Sequence, residues 1–239
     1  MAGVAPKTVK VDLYVLHTEG LEKLWQVRPA PLLSTACAKA EHLLSLQTPR
    51  ATAAGLGVFG AALLLSALLG ISDAKQLRFG EYGKPYLVSG SPQFNLSDAD
   101  NLVVLGVCEE ELGVDVAPVM KNISDRALFA LGRALGIPHK KGDEPSAQLQ
   151  ELASDPIHFA RQWARIEAVL KAQGTGFGVD SSIYLPWMNE WQLAYLNYAT
   201  SVICVATAQC AQLCLHEFDA DAWVASLKPS FEGCVYGRQ

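Results

Sequence analysis

The chain has 239 residues, of which 50% are hydrophobic and only 18% are charged. This hydrophobic content excludes an intrinsically disordered protein, and the length is sufficient for one large domain or two small ones. The net charge of −5 argues against a nucleic-acid-binding protein, which needs a basic surface. The charges are unevenly distributed, since no ionisable side chain occurs between Ala51 and Ile71. A run of about 20 uncharged residues is long enough to span a bilayer.

In the N-terminal half, the sequence predicts a strand, two helices and several short strands. Residues 9–17 alternate like a strand, 32–46 form a mostly apolar helix, and the uncharged run forms a second helix. Four glycines in that run, and the lack of flanking aromatic residues, favour a helix buried in a core. A membrane span remains the alternative, because small residues also permit close packing of membrane helices. Short extended segments follow at 77–79, 85–88 and 94–96.

Residues 102–107 and 112–117 are predicted to form a hairpin around the acidic tip Glu109-Glu110-Glu111. Pro118 ends this unit and divides the chain into two halves, residues 1–118 and 119–239. Three elements are predicted in the second half: a helix over 124–135, a helix over 157–172 and strand material over 193–208. The mixture of helices and strand pairs predicts the α+β class.

The compartment is indicated by the N-terminus and by the cysteines. The first ten residues lack the continuous apolar segment of a secretory signal. The six cysteines are scattered, and most lie among apolar residues. Cys210 and Cys214 could share a helix face, but without a second pair or a nearby histidine they are only weak evidence for a metal site. We therefore expect reduced thiols and a cytoplasmic protein.

Two carboxylates stand out, one on the predicted strand over 112–117 and one on the predicted helix over 157–172. Strand alternation places Asp115 beside Gly113 and Ala117, on the face opposite the apolar residues of 112–117. The buried stripe of the helix over 157–172 is predicted to consist of Phe159, Trp163, Ile166 and Leu170. Glu167 lies at the edge of this stripe, where its carboxylate can reach a cleft. Taken alone, Glu167 and Lys171 in this i,i+4 spacing are more often a surface ion pair. Two carboxylates from separate elements with a lysine nearby, however, suit Mg²⁺ and a pyrophosphate.

Four motifs in order complete the pattern: GKP at 83–85, FNLS at 94–97, GVD at 113–115, and W-x-x-x-E-A-x-x-K at 163–171 with a glycine loop after it. In this order and spacing, the sequence resembles the Sfp-type 4'-phosphopantetheinyl transferases. Arg50 matches the arginine before the first core helix of that family. The resemblance covers residues 50–208. Because the uncharged run then matches that core helix, no membrane association is expected.

The resemblance implies a pseudo-twofold α+β monomer with coenzyme A bound between two similar halves. Phosphopantetheine is transferred from coenzyme A to a serine of an acyl or peptidyl carrier protein, with Mg²⁺ as cofactor. The implied coenzyme A contacts are Arg50, Gly83, Lys84, Pro85, Tyr86, Ser97, Asp98 and Lys171. Asp115 and Glu167 are the implied Mg²⁺ ligands. Glu167, as base for the carrier serine, and Lys171, on the pyrophosphate oxygens, are the expected catalytic residues.

The sequence departs from the family pattern at three positions. Asp98 replaces a histidine, and an acidic side chain beside a phosphate is repulsive. Ala117 replaces a glutamate, which removes a third carboxylate from the metal site. Ile166 replaces a lysine, and Arg165 is a poor substitute because one residue rotates a helix by about 100°. The alternative function is therefore a degenerate, non-catalytic member of the fold that binds a carrier protein or another partner.

Overall fold

The computed structural model describes residues 7–27, 32–137, 144–176 and 188–227. The elements in chain order are β1 (Thr8–His17), α1 (Leu21–Val27), α2 (Ser34–Ser45), α3 (Pro49–Leu69), a 3₁₀ turn (Ala74–Gln76), β2 (Leu77–Phe79), β3 (Pro85–Leu87), β4 (Gln93–Ala99), β5 (Leu102–Cys108), β6 (Leu112–Pro118), α4 (Asp125–Ala134), α5 (Ala147–Ser154), α6 (Pro156–Gln173), β7 (Gln192–Tyr198), β8 (Ser201–Thr207), β9 (Cys210–Glu217) and α7 (Ala220–Leu227). Helices and strands are mixed along the chain, which confirms the α+β class.

The strands form two main sheets with a shared core. The first sheet has the order β4-β5-β1-β9 and the second has the order β6-β8-β7, while β2 and β3 form a separate hairpin. Apolar side chains of both sheets, among them Leu13, Val104, Val114 and Val205, belong to one buried cluster. A second cluster joins α3 to the first sheet, and a third joins α6 to the second. The two sheets therefore pack together, and each has its own long helix.

Three strands of the first sheet have the same order and pairing as the three strands of the second, while β9 pairs parallel with β1 in the first sheet only. In the first sheet, β1 pairs antiparallel with β5, which pairs with β4; in the second, β6 pairs antiparallel with β8, which pairs with β7. The two hairpins turn at residues with positive φ, Asp100 and Ala199. The long helices also match, because each begins with a proline after a capping side chain and ends at a left-handed glycine, Gly70 or Gly174.

The prediction of a hairpin between 102–107 and 112–117 is wrong. β5 lies between β4 and β1 in the first sheet, whereas β6 pairs with β8 in the second. Both strands are almost fully buried on both faces, with Asp115 as the one charged side chain between them. An alternating pattern with one solvent-facing side is therefore absent, and each strand can pack between other elements of the fold. The chain thus changes sheets at residues 109–111, before Pro118. The division into halves at that proline stays a prediction.

Helix α3 contains the uncharged run and is the one described helix that is long and apolar enough to cross a membrane. Length and composition are weak evidence for a span, because a core helix meets the same criteria. Half of its most apolar window is buried within the fold. A Cβ at Gly55 would lie 2.8 Å from Leu44 of α2, and one at Gly60 would lie 3.1 Å from Leu16 of β1. The glycines therefore permit close contact with α2 and with the first sheet.

Helix α6 contacts the second sheet through small residues. Four alanines at helical spacing are almost fully buried: Ala160, Ala164, Ala168 and Ala172. A Cβ at Gly113 of β6 would lie 1.9 Å from the carbonyl oxygen of Ala168 and 2.4 Å from the amide nitrogen of Ala172. Phe159, Ile166 and Leu170 are buried in the same core, but the predicted stripe lacked these alanines. Helix and strand backbones are therefore in direct contact at Gly113.

The alanines leave α6 with two different flanks. Trp163, Glu167 and Lys171 lie on the flank towards β4 and β6. On the other flank, Arg161 lies over the ring of Tyr195, 5.9 Å from its centroid. Burial raises the pKa of Tyr195 to about 12, against the positive charges of Arg165 and Arg161. Arg165 is thus on the opposite side of the helix from Lys171.

Most predicted elements are present with bounds shifted by a few residues. Elements that the sequence did not predict are α1, α5, α7 and β9. Cys210 and Cys214 lie on strand β9, not on a helix, and are free thiols.

Replacement of Gly113 by alanine should reduce the free energy of unfolding by about 3 kcal/mol, because the added methyl group overlaps the α6 backbone, which cannot move like a side chain. Urea unfolding followed by circular dichroism measures the change. Gly80→Ala is the control, since its nearest neighbour would be a tyrosine ring carbon at 3.3 Å; its loss should stay below about 1 kcal/mol. Equal losses in the two variants would contradict the close contact at Gly113.

Candidate active site between the two sheets

The site forms where β4 of the first sheet meets β6 of the second. The amide of Val114 donates to the side-chain oxygen of Asn95 at 2.9 Å, and the amide of Val116 donates to the hydroxyl of Ser97 at 3.2 Å. Side chains thus replace the backbone carbonyls of a regular sheet on this edge of β6. The FNLS motif supplies both acceptors. The two strands are therefore joined but held too far apart for backbone pairing, which leaves space for a pocket.

Ser97, Asp115 and Lys171 form a closed triangle at this junction. The ammonium of Lys171 donates to Asp115 Oδ1 at 2.7 Å and to Ser97 Oγ at 2.8 Å. The Ser97 hydroxyl in turn donates to the same carboxylate oxygen at 2.9 Å. The three residues come from β4, β6 and α6, so three elements must be in place for the triangle to form.

A buried and a half-buried carboxyl group, those of Asp115 and Glu167, share the site. Burial raises the pKa of Asp115, which is only 4% exposed, while Lys171 and Ser97 oppose this rise. Burial also raises the pKa of Glu167, with a further contribution from the charge of Asp115, to about 7. Lys171 and a hydrogen bond with Trp163 act in the other direction. Glu167 can therefore gain or lose a proton near neutral pH, as a general base must.

A pocket of about 360 Å³ opens at this cluster. Its lining consists of Leu96, Ser97, Asp98, Ala99, Asp115, Val116, Ala117, Pro118, Trp163, Glu167 and Lys171. The structure thus brings together five of the residues proposed from sequence: Ser97, Asp98, Asp115, Glu167 and Lys171. Trp163 is a lining residue that the sequence interpretation assigned to the buried stripe. Its spacing of four from Glu167 places it on the same flank of α6.

The remaining proposed residues lie away from the pocket lining. Gly83, Pro85 and Tyr86 are in the β2–β3 hairpin, and Gly174 at the end of α6 is close to it, since a Cβ there would lie 3.3 Å from the Tyr86 hydroxyl. Lys84 is buried and donates to two backbone carbonyls. Arg50 is exposed in the first turn of α3. The hairpin is therefore next to the C-terminus of α6, one turn from Lys171.

The three departures from the family motifs differ in their structural setting. Asp98 lines the pocket, and its carboxylate would lie 3.0 Å from a Cβ at Gly57 of α3. Ala117 also lines the pocket, where a glutamate would add a carboxylate. Ile166 is 2% exposed in the apolar core around α6, so its side chain does not face the pocket. Isoleucine suits this apolar environment better than a lysine would.

The donor set of the pocket fits Mg²⁺ held together with a substrate. Asp115 and Glu167 are oxygen ligands of the kind that Mg²⁺ prefers, and their mutual repulsion, which contributes to the raised pKa of Glu167, would be relieved by a cation. Within the described part of the chain, no group of three or more His, Cys, Asp or Glu side chains could hold a metal. With only two protein carboxylates, the remaining ligands must be water and substrate oxygens, which is usual for Mg²⁺.

A scan of protein-family models finds none that matches this chain, and a search of curated proteins finds no matching sequence.

Replacement of Glu167 by glutamine should stabilise the protein at pH 8 but not at pH 4.5. The folded state holds the Glu167 proton up to a pKa of about 7, whereas the ordinary value is 4.5, so this group costs stability as pH rises through that interval. The difference corresponds to at most about 3 kcal/mol at pH 8. Urea unfolding of both proteins at the two pH values, with EDTA present, measures it.

The matched control for this prediction is Glu151→Gln, at an exposed glutamate of α5. It should leave the difference in stability between pH 4.5 and 8 unchanged. If Glu167→Gln also left it unchanged, the Glu167 carboxyl would not be buried beside Asp115.

Proposed function

We propose that this protein is a Mg²⁺-dependent 4'-phosphopantetheinyl transferase, which moves phosphopantetheine from coenzyme A to a serine of an acyl or peptidyl carrier protein. The observation that carries the proposal is the convergence of Ser97, Asp115, Glu167 and Lys171 in one pocket. These residues come from three of the four motifs on which the resemblance rests. These residues are up to 74 positions apart in the sequence. They lie close together because the fold brings the three motifs to one place.

The strand order shared by three strands of each sheet supports the same proposal. Two halves related by a pseudo-twofold axis would each contain a strand, a long helix and a hairpin, as β1-α3-β4-β5 and β6-α6-β7-β8 do. The pocket lies where the edge strand of one sheet meets the first strand of the other. Such a junction is where the resemblance implies that coenzyme A binds. The described cysteines are free thiols, in agreement with a reducing cytoplasm.

The proposed reaction is an in-line displacement at the phosphorus next to the pantetheine. The oxygen of the carrier serine forms a bond to this phosphorus, and the bond to the leaving 3',5'-adenosine bisphosphate breaks. Glu167 accepts the proton of the serine hydroxyl, directly or through water. Lys171 donates hydrogen bonds to the pyrophosphate oxygens, where negative charge must be stabilised. Asp115 and Ser97 hold the ammonium of Lys171 in position.

Asp115 and Glu167 would hold Mg²⁺, which neutralises charge on the pyrophosphate when bound. Asp115 is buried and Glu167 half-buried, so a bound cation would compensate part of their lost hydration. Lys171 already contacts Asp115, so this carboxylate would be shared between the ammonium and a bound metal. The protein would act as a monomer, since both halves belong to one chain.

Incubation with coenzyme A, Mg²⁺ and several apo carrier proteins, with the carrier followed by mass spectrometry, tests the proposal. A phosphopantetheine adduct is expected, and Glu167→Gln or Asp115→Ala should reduce its rate at least about 10²-fold, in the range of lost acid–base catalysis. Circular dichroism should show that both variants are folded. Glu151→Gln is the control and should keep the wild-type rate.

Two results would contradict the proposed function. The absence of any adduct, together with no coenzyme A binding by calorimetry, would leave the non-catalytic, partner-binding alternative. Full activity of both carboxylate variants would mean that the metal and base lie elsewhere.

Replacement of Asp98 by histidine should strengthen coenzyme A binding roughly fivefold, because it removes a negative charge worth about 1 kcal/mol beside a phosphate. Calorimetry on the wild type, Asp98→His and Asp98→Asn measures the effect and separates charge from the imidazole. Equal gains in both variants would assign the effect to charge. Unchanged affinity in both would show that Asp98 lies away from the phosphates.

A further inference from the structure

Lys84 is a buried lysine that joins two elements of the site. Its residue is 7% exposed, and its ammonium donates to the carbonyl oxygen of Ala172 at 2.8 Å and to that of Leu112 at 3.2 Å. Leu112 is the first residue of β6, and Ala172 lies in the last turn of α6. One cation thus bonds to both backbones beside Gly113, where helix and strand are in contact.

Both carbonyls gain from this arrangement. The last four carbonyls of a helix have no partner within the helix, and positive charge is favourable at this end. The Ala172 carbonyl is one of these groups, and it follows directly after Lys171 in the chain. The Leu112 carbonyl lies three residues before Asp115. Lys84 therefore bonds to the main chain next to Lys171 in α6. In β6 it bonds to the main chain three residues before Asp115.

The surroundings of Lys84 leave little room for a ligand. A Cβ at Gly174 would lie 3.2 Å from Lys84 Cδ, so the side chain is packed against the end of α6. The ammonium lies 5.3 Å from the centroid of the Tyr86 ring. Burial lowers the pKa of Lys84, and the negative charge of Glu111 acts in the other direction. Two ammonium hydrogens are used by carbonyls, and the aromatic ring is next to the same nitrogen.

We propose that Lys84 is a positioning residue, which holds the C-terminal turn of α6 on the start of β6 and thereby sets Glu167 and Lys171 relative to Asp115. This inference rests on the proposed function for its catalytic consequence. It assigns the GKP lysine a different role from the phosphate contact that the resemblance implies. The side chain acts through the backbone of two elements and does not touch the substrate.

Coenzyme A and dephospho-coenzyme A, which lacks the 3'-phosphate, separate the two roles. Binding of each to the wild type and to Lys84→Met is measured by calorimetry, and transfer is measured at saturating coenzyme A. For a positioning residue, the ratio of the two dissociation constants stays within about twofold of wild type, while kcat falls roughly 10²-fold, as for a misplaced reacting group. Lys84→Arg, which keeps the charge, should recover part of kcat.

The opposite result would overturn the proposal. If Lys84 contacted the 3'-phosphate, Lys84→Met would bind coenzyme A as weakly as dephospho-coenzyme A and would keep its kcat. Lys75→Met, at an exposed lysine of the 3₁₀ turn before the hairpin, is the matched control and should change neither quantity. If Lys84→Met did not fold, Lys84→Arg would decide the question by the same ratio.

Hydrogen exchange tests the positioning role independently of the proposed function. In Lys84→Met, peptides covering the last turn of α6 and the start of β6 should exchange at least about tenfold faster, while the β7–β8 hairpin exchanges as in wild type. Unchanged exchange at α6 and β6 would overturn the proposal, whether or not the protein binds coenzyme A. Faster exchange with no coenzyme A binding by the wild type would support the positioning role and reject the proposed function.

Discussion

Hydrogen bonds from the β6 backbone to the side chains of Asn95 and Ser97 are the interaction on which the site depends. They satisfy amides that would otherwise be buried without a partner, a defect that costs about 1–3 kcal/mol for each group. They also fix β4 at side-chain distance from β6. A backbone-paired junction would close the pocket, and a junction without these bonds would leave the sheets unconnected at this edge. The polar residues of β4 therefore have a structural role before any catalytic one.

Burial raises the pKa of the two carboxyl groups in the site. Asp115 and Glu167 lie close together in a site with little water. Lys171 is the positive charge that lowers the pKa of both carboxyl groups. Such a cluster contributes little to the stability of the fold, because the free energy lost in desolvating the charged groups exceeds the attraction within one ion pair. The apolar clusters that join α3 and α6 to their sheets supply the necessary stability elsewhere. The strained electrostatics can persist because the surrounding core is extensive.

Sequence patterns were most informative where one residue determines a local geometry. Alternation places Asp115 opposite the apolar face of its strand, and the helix predicted over 157–172 agrees with α6 to within one residue at each end. Pairing between distant segments was not accessible in this way. Strands β5 and β6 are buried on both faces, and an acidic tip between two such strands is compatible with a hairpin or with a crossing between sheets. The bonds by which Lys84 joins β6 to α6 could not be predicted either, because its two acceptors are backbone carbonyls 28 and 88 residues away.

Helix α6 combines a uniform contact surface with two chemically different flanks. The alanines hold it on the sheet without contributing any functional group, the flank with Glu167 borders the pocket, and the flank with Arg161 faces Tyr195. Because these three surfaces share no residue, mutations can accumulate on one of them without altering the others. A substitution of Arg161 would change the contacts of α6 with Tyr195 and Asn197 of β7 but would leave the spacing of the carboxylates along the helix unchanged. Packing through alanines thus lets α6 keep its position on the sheet while its two flanks have independent functions.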